Sequence, residues 1–197
     1  MNDLSSTPLR DDLHGDLGAV LILAAALFVT PAVGVPHEDM LQDTFKSGLM
    51  ALAVFMAAAV FFFGRRRQAS TLVIHWAMAL APILCIWALA STAWGHQWLA
   101  VVEALRWAVL AVVVALAAQV ARGQALRWIA WCVHLGSVVA AGWACVQFLW
   151  GVGVFPQGPN PGSTFLNRNF FAEYAVSALP FGLWLLLRCS GRRTAYG

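Results

Sequence analysis

Six apolar stretches, each close to the length that a helix needs to cross a lipid bilayer, dominate this 197-residue sequence. A hydrocarbon core about 30 Å thick requires roughly 20 apolar residues in α-helix. Charged residues make up only 11% of the chain, whereas an average soluble domain holds about a quarter. We therefore predict an all-α, polytopic membrane protein with spans at residues 17–35, 46–63, 71–92, 99–121, 128–150 and 169–188.

The sequence also argues against three other interpretations: a transmembrane β-barrel, a nucleic-acid-binding protein and a cleaved signal peptide. Strands of a transmembrane barrel alternate apolar and polar residues, whereas residues 109–118 (VLAVVVALAA) do not alternate. The net charge of +3 is scattered between apolar blocks, which argues against nucleic-acid binding. A cleaved signal peptide needs a basic leader, but residues 1–16 are acidic, so the first span is expected to be retained.

The distribution of lysine and arginine predicts the orientation of the chain. With residues 1–16 as a cytoplasmic tail, nine arginines fall on the inner side, and only Lys46 and Arg168 fall on the outer side. We predict a six-helix bundle over residues 17–188, an outer loop at 151–168 and a cytoplasmic tail at 189–197. Gly136 and Ala140, at small-xxx-small spacing, predict a close contact between helices.

Ionisable residues inside the predicted spans are candidates for function, because a charge exposed to lipid is costly. Glu103 and Arg106 are three residues apart on the fourth span, so they share one helix face. Glu173 lies about one turn into the sixth span. These groups either form a salt bridge that fixes helix packing or line a polar cavity that opens outward.

The loop that leads into the sixth span carries the richest polar pattern, in residues 156–174 (PQGPNPGSTFLNRNFFAEY). Asn169 is expected to cap the sixth helix, whose N-terminal amides favour an anion. Arg168 adds a positive charge there, and Asn167 can donate and accept hydrogen bonds. This segment is either a phosphate or sugar site or simply a capped helix. We find no metal, nucleotide or soluble-enzyme motif, so no cofactor is expected.

Residues 162–172 (GSTFLNRNFFA) resemble a signature of the O-antigen ligase and O-antigen polymerase superfamily, in which a Gly and Ser/Thr turn precedes an Asn-x-Asn pair. That superfamily includes bacterial protein O-oligosaccharyltransferases. Residues 87–106 show a looser similarity. In family members, one span ends in a Ser-Trp-type turn and the next begins with an amphipathic stretch that bears an arginine. The resemblance implies a GT-C-like bundle in the bacterial inner membrane. It also implies transfer of a glycan from undecaprenyl pyrophosphate to a glycolipid, glycan or protein acceptor at the periplasmic face, without a metal.

Site residues follow from the same resemblance. Asn167 and Asn169 match the paired asparagines, and Arg106 loosely matches an arginine of the fourth span. Together with Arg168, these residues are expected to bind the pyrophosphate or the glycan. Other residues are expected to be structural, namely Gly162, Thr164, Glu103 and Glu173.

The chain departs from the family in having no counterpart of its later spans or of its long periplasmic loop with the transfer arginine and histidine. We therefore expect the N-terminal portion of such an enzyme, inactive by itself. Two alternatives stay open. Prolines at 82 and 180, in the third and sixth spans, fit half of a transporter or permease with kinked helices. The chain also fits a membrane scaffold without catalysis.

Overall fold

The computed structural model describes residues 12–36, 42–65, 74, 76–155, 161–165 and 167–193, and every regular element in these ranges is helical. Two 3₁₀ turns, Trp76–Ala79 and Ser91–Ala93, flank the third helix. The α-helices are α1 (Asp12–Ala32), α2 (Gln42–Arg65), α3 (Leu80–Ala90), α4 (Gln97–Val120), α5 (Gly123–Trp150) and α6 (Arg168–Arg193).

Four described stretches are long and apolar enough to cross a membrane: Thr44–Gly64, Gln97–Val120, Gly123–Trp150 and Arg168–Arg188. Large apolar side chains lie exposed on these helices, with Phe55 62% and Leu187 71% exposed, as lipid contact requires. The prediction of a helical membrane protein is thus confirmed. The apolar helices Asp16–Ala32 and Leu80–Ala93, at the first and third predicted spans, are shorter.

The third predicted span, residues 71–92, is only partly α-helical in the described part of the chain. Residues 71–73 and 75 lie outside the described part of the chain, and a 3₁₀ turn precedes α3. Pro82 lies in the first turn of α3. Backbone N–H groups in the first turn have no partner within the helix, so the absence of an N–H in proline costs nothing there. Pro180, in contrast, lies inside α6.

The described residues belong to two compact units. The first unit falls within Met1–Ile22 and Ala53–Ala125, and the second within Leu23–Leu52 and Leu126–Gly197. In the first unit, α3 packs against α4 through small residues. Ala100 and Ala104 are buried on α4, and Cys85 Sγ donates to the carbonyl oxygen of Ala104 at 3.4 Å.

In the second unit, the end of α1 packs tightly on α5. A Cβ atom on Gly136 would lie 3.1 Å from the carbonyl oxygen of Phe28 and 2.9 Å from Pro31 Cγ. Ala140, one turn along α5, is completely buried. The close contact predicted from Gly136 and Ala140 is confirmed, and it brings the C-terminal end of α1 against α5.

Candidate functional site

The C-terminal end of α1 presents carbonyl oxygens that have no partner within the helix. Lys46, on the first turns of α2, donates from Nζ to the carbonyl oxygens of Thr30 at 2.8 Å and Val33 at 3.0 Å. Thr164 donates from Oγ1 to the carbonyl oxygen of Pro31 at 2.6 Å. Side chains from two distant segments therefore cap α1, and the ammonium group of Lys46 also complements the negative end of the helix dipole.

Lys46 and Thr164 are joined to each other as well. Lys46 Nζ donates to Thr164 Oγ1 at 2.9 Å, and the two residues are 7% and 2% exposed. The ammonium group thus donates three hydrogen bonds to three different oxygens. Although the sequence placed Lys46 among the outward-facing cations, its side chain is buried.

Residues 162–165 form a tight turn in which the amide of Phe165 donates to the carbonyl oxygen of Gly162 at 3.0 Å. A Cβ atom on Gly162 would lie only 2.6 Å from the carbonyl oxygen of Phe165, so this position requires glycine. Ser163 has a φ of 59°, a left-handed conformation that is uncommon for any residue except glycine. Such strain persists only where surrounding contacts hold it in place.

Those contacts come from α5. The side-chain amide of Gln147 pairs with the backbone of Ser163 in both directions: its Nε2 donates to the carbonyl oxygen at 3.0 Å, and its Oε1 accepts from the amide at 2.8 Å. The hydroxyl of Ser163 donates to the carbonyl oxygen of Ala140 at 2.6 Å. We call Lys46, Gln147, Ser163 and Thr164 the buried polar cluster.

An aromatic stack connects this cluster to α6. The ring of Phe165 lies 4.1 Å from Lys46 Nζ, a cation–π contact. The same ring stacks on the ring of Tyr174, with centroids 5.5 Å apart, and its centroid lies 6.1 Å from that of the Phe171 ring. Phe171 and Tyr174 both belong to the first two turns of α6, so the turn and the start of α6 are packed together.

The start of α6 differs in one respect from the sequence prediction. Asn167, rather than Asn169, caps the helix, because Asn167 Oδ1 accepts from the amide of Asn169 at 2.8 Å. The helix begins at Arg168, which makes Asn167 the residue in the capping position. Arg168 and Asn169 are exposed, as is Glu173 one turn further on.

Glu103 and Arg106 lie in the first unit, on α4. Arg106 Nη1 and Glu103 Oε1 are 2.7 Å apart, and the two side chains are 43% and 51% exposed, respectively. The salt bridge foreseen from their spacing is therefore present, and both groups are also accessible. Asn167, Arg168 and Asn169, in contrast, belong to the second unit.

The first unit also contains an apolar cavity of about 340 Å³ between α2 and α4. Phe61, Met78 and Leu116 are among its lining residues, and Gln119 is the polar one. The described residues around it include no charged side chain. Elsewhere in the described ranges, no three His, Cys, Asp or Glu residues lie close enough to hold a metal ion.

Sequence reasoning missed Lys46 and Gln147, although each left a signal. Lys46 is the one cation at the beginning of an otherwise apolar span. Gln147 lies near the end of the apolar helix α5, whose other amide side chain, Gln124, lies at its beginning. Polar groups at such depths need partners. The partners could not be named from the sequence, because Thr164 is 118 residues away from Lys46.

No family model, curated protein or solved structure matches this chain. The resemblance of residues 162–172 to the O-antigen ligase superfamily therefore rests on the residues themselves. Within that segment, Gly162 and Thr164 are the buried part, and Asn167, Arg168 and Asn169 are the exposed part.

Proposed function

We propose that this membrane protein binds the pyrophosphate of a lipid-linked glycan at the start of α6. We further propose that it is the carrier-binding portion of an O-antigen ligase-like, GT-C-type glycosyltransferase. In this proposal it has six spans in a bacterial inner membrane, with both termini cytoplasmic and the site at the periplasmic face. The acceptor would be a glycolipid, a glycan or a protein.

One observation carries the proposal: the signature segment is divided into a buried anchor and an exposed end. Gly162 and Thr164 are buried in the turn, whereas Arg168 and Asn169 are exposed at the beginning of a long helix. The amide of Asn169 is bonded to Asn167 Oδ1, and the other amides of this first turn, at the positive end of the helix dipole, favour an anion. The Arg168 guanidinium has the planar donor geometry that suits phosphate oxygens.

Arg106, in the first unit, enters the proposal through the resemblance alone. It lies nine residues after Gln97, the first residue of α4, and so about 14 Å along the helix. At that depth an accessible ion pair is costly in lipid unless it faces water, protein or a polar ligand. The Arg106 guanidinium bonds to the Glu103 carboxylate at 2.7 Å, and a phosphate oxygen can take the place of that carboxylate, so Glu103 competes with the ligand for Arg106.

Binding of undecaprenyl pyrophosphate to the chain reconstituted in nanodiscs tests the proposal, with undecaprenol as the matched ligand without phosphate. We expect the pyrophosphate to bind more tightly than the alcohol. Arg168→Ala is expected to weaken pyrophosphate binding about tenfold or more, since a charge-assisted hydrogen bond contributes about 1.5–3 kcal/mol. Arg106→Ala is expected to weaken it as well.

The control variant is Arg188→Ala, which removes an arginine of the same helix far from its start. The Arg188 guanidinium lies 4.8 Å from the ring of Trp184, so it has a contact of its own. Its loss should leave pyrophosphate affinity unchanged. Equal affinity for undecaprenyl pyrophosphate and undecaprenol would contradict the proposal and favour the scaffold alternative.

A further inference from the structure

The buried polar cluster has the ingredients of a nucleophile paired with a base, since a threonine hydroxyl lies 2.9 Å from a lysine nitrogen. The hydrogen bonds argue against that chemistry. A Lys46 amino group that accepted a proton from Thr164 would first have to be neutral, yet Nζ donates to three oxygens. The Thr164 hydroxyl proton is already given to the carbonyl oxygen of Pro31. Thr164 is also 2% exposed, so a substrate could not reach it.

The same contacts form a mechanical connection instead. Lys46 holds the end of α1 through Thr30 and Val33, holds the turn through Thr164, and lies against the ring of Phe165. That ring packs on the first two turns of α6. The position of the first turn of α6, where Arg168 lies, is therefore fixed through a residue 122 positions earlier in the chain.

We infer that Lys46 is a positioning residue for the pyrophosphate site: without touching the ligand, it holds the turn at 162–165 and thereby the N-terminal turn of α6. This inference rests on the proposed function for the identity of the ligand. The mechanical part of the inference, that Lys46 restrains the start of α6, does not depend on the proposed function. Lys46 thus acts through Thr164 and Phe165, whereas Arg168 acts directly on the anion.

Spin labels test the mechanical part without any ligand. In a chain whose four natural cysteines are replaced by alanine, a nitroxide is attached at Ala172→Cys, an exposed position in the second turn of α6. Lys46→Met should increase the mobility of this label in the electron paramagnetic resonance spectrum. A label at Leu186→Cys, which lies 66% exposed further along the same helix, should keep its wild-type mobility.

Ligand binding tests the functional part. Lys46→Met should weaken binding of undecaprenyl pyrophosphate about tenfold, as is typical for residues that support a binding shell. The remaining affinity should depend on ionic strength as in the wild type, because the lost charge does not face the ligand. Arg168→Ala, in contrast, should reduce the dependence on salt. Lys46→Arg, which keeps a charged donor, should restore part of the affinity.

Thr164→Val serves as a second variant of nearly equal shape if Lys46→Met does not fold. It leaves Lys46 on α1 but removes the hydroxyl that connects Lys46 to the turn, so both the label and the affinity should change in the same direction. Wild-type mobility of the label at 172 in either variant would overturn the inference. A wild-type chain that does not bind undecaprenyl pyrophosphate would instead overturn the proposed function and leave the mobility test to decide the mechanical part.

Discussion

Each of the two units holds charged side chains within a membrane-spanning helix, but the charge is buried in the second unit and exposed in the first. In the second unit, Lys46 is 7% exposed, and its ammonium group donates to three oxygens. In the first unit, Glu103 and Arg106 pair with each other and remain about half exposed. The first arrangement has its polar partners inside the fold, whereas the second presents its charges to whatever surrounds α4.

This difference separates two roles for charge in a membrane protein. A buried ammonium group with fully used donors contributes to the stability of one arrangement and has no donor left for a ligand. An accessible ion pair contributes little to stability but can exchange its partner for another charged group. Substitutions in the two regions should therefore change different measured quantities, the free energy of unfolding in the first case and ligand affinity in the second.

The largest effect on stability is expected from Gln147→Leu, which removes both side-chain partners of the Ser163 backbone. A buried amide and a buried carbonyl would lose their partners, at a cost of about 2–4 kcal/mol in the free energy of unfolding. The strained φ of Ser163 would lose its support as well. Titration with sodium dodecyl sulfate, followed by circular dichroism, measures the change.

Gln97→Leu is the matched control, because Gln97 is exposed at the beginning of α4. The same exchange of an amide for an alkyl side chain should change the unfolding free energy there by less than about 0.5 kcal/mol. If Gln147→Leu were as mild as Gln97→Leu, the cluster would not hold the turn, and the contrast between the two units would disappear.

A smaller effect is expected from Gly136→Ala, which tests the packing beneath the buried polar cluster. The new Cβ would lie 2.9 Å from Pro31 Cγ and 3.1 and 3.2 Å from the backbone carbonyl oxygens of Phe28 and Leu27. Because backbone atoms cannot easily move aside, we expect a loss of about 1–3 kcal/mol in the same titration.

Gly142→Ala, on the same helix, is expected to change the free energy of unfolding in the opposite direction. Nothing lies within 4 Å of a Cβ atom at Gly142, so alanine there should stabilise α5 by up to about 1 kcal/mol through helix propensity alone. Two glycine-to-alanine substitutions six residues apart should thus shift the unfolding midpoint in opposite directions. Equal shifts would show that α1 does not approach α5 as closely as these distances require.

Much of this architecture was predictable from the sequence. Bilayer thickness sets the length of a spanning helix, and apolar stretches of about that length recur along the chain. The close contact at Gly136 was predictable from spacing alone. The exact limits of the helices were not. Pro82 was expected to kink a span, yet it lies in the first turn of α3, where proline is tolerated.

The candidate site was predictable only in its local part. Gly162, Asn167 and Asn169 are neighbours in sequence, so their turn and helix start could be foreseen, although the cap proved to be Asn167. Lys46 and Gln147 could not be assigned, because their partners come from distant segments and no local pattern encodes such contacts. A sequence shows that a polar residue in an apolar span needs a partner, and the fold decides which partner it finds.

The smallest effect on stability is expected in the first unit, from Glu103→Gln. This substitution removes the carboxylate that faces Arg106 at 2.7 Å but keeps a side chain of the same shape. Exposed pairs three residues apart on a helix contribute about 0.2–0.5 kcal/mol, so the unfolding midpoint should hardly move. If Arg106 binds the pyrophosphate, however, losing its competing carboxylate should raise the affinity for undecaprenyl pyrophosphate, while Arg106→Ala should lower it. A large loss of stability in Glu103→Gln would contradict this view, since it would mean that the pair, like Lys46, holds the fold together.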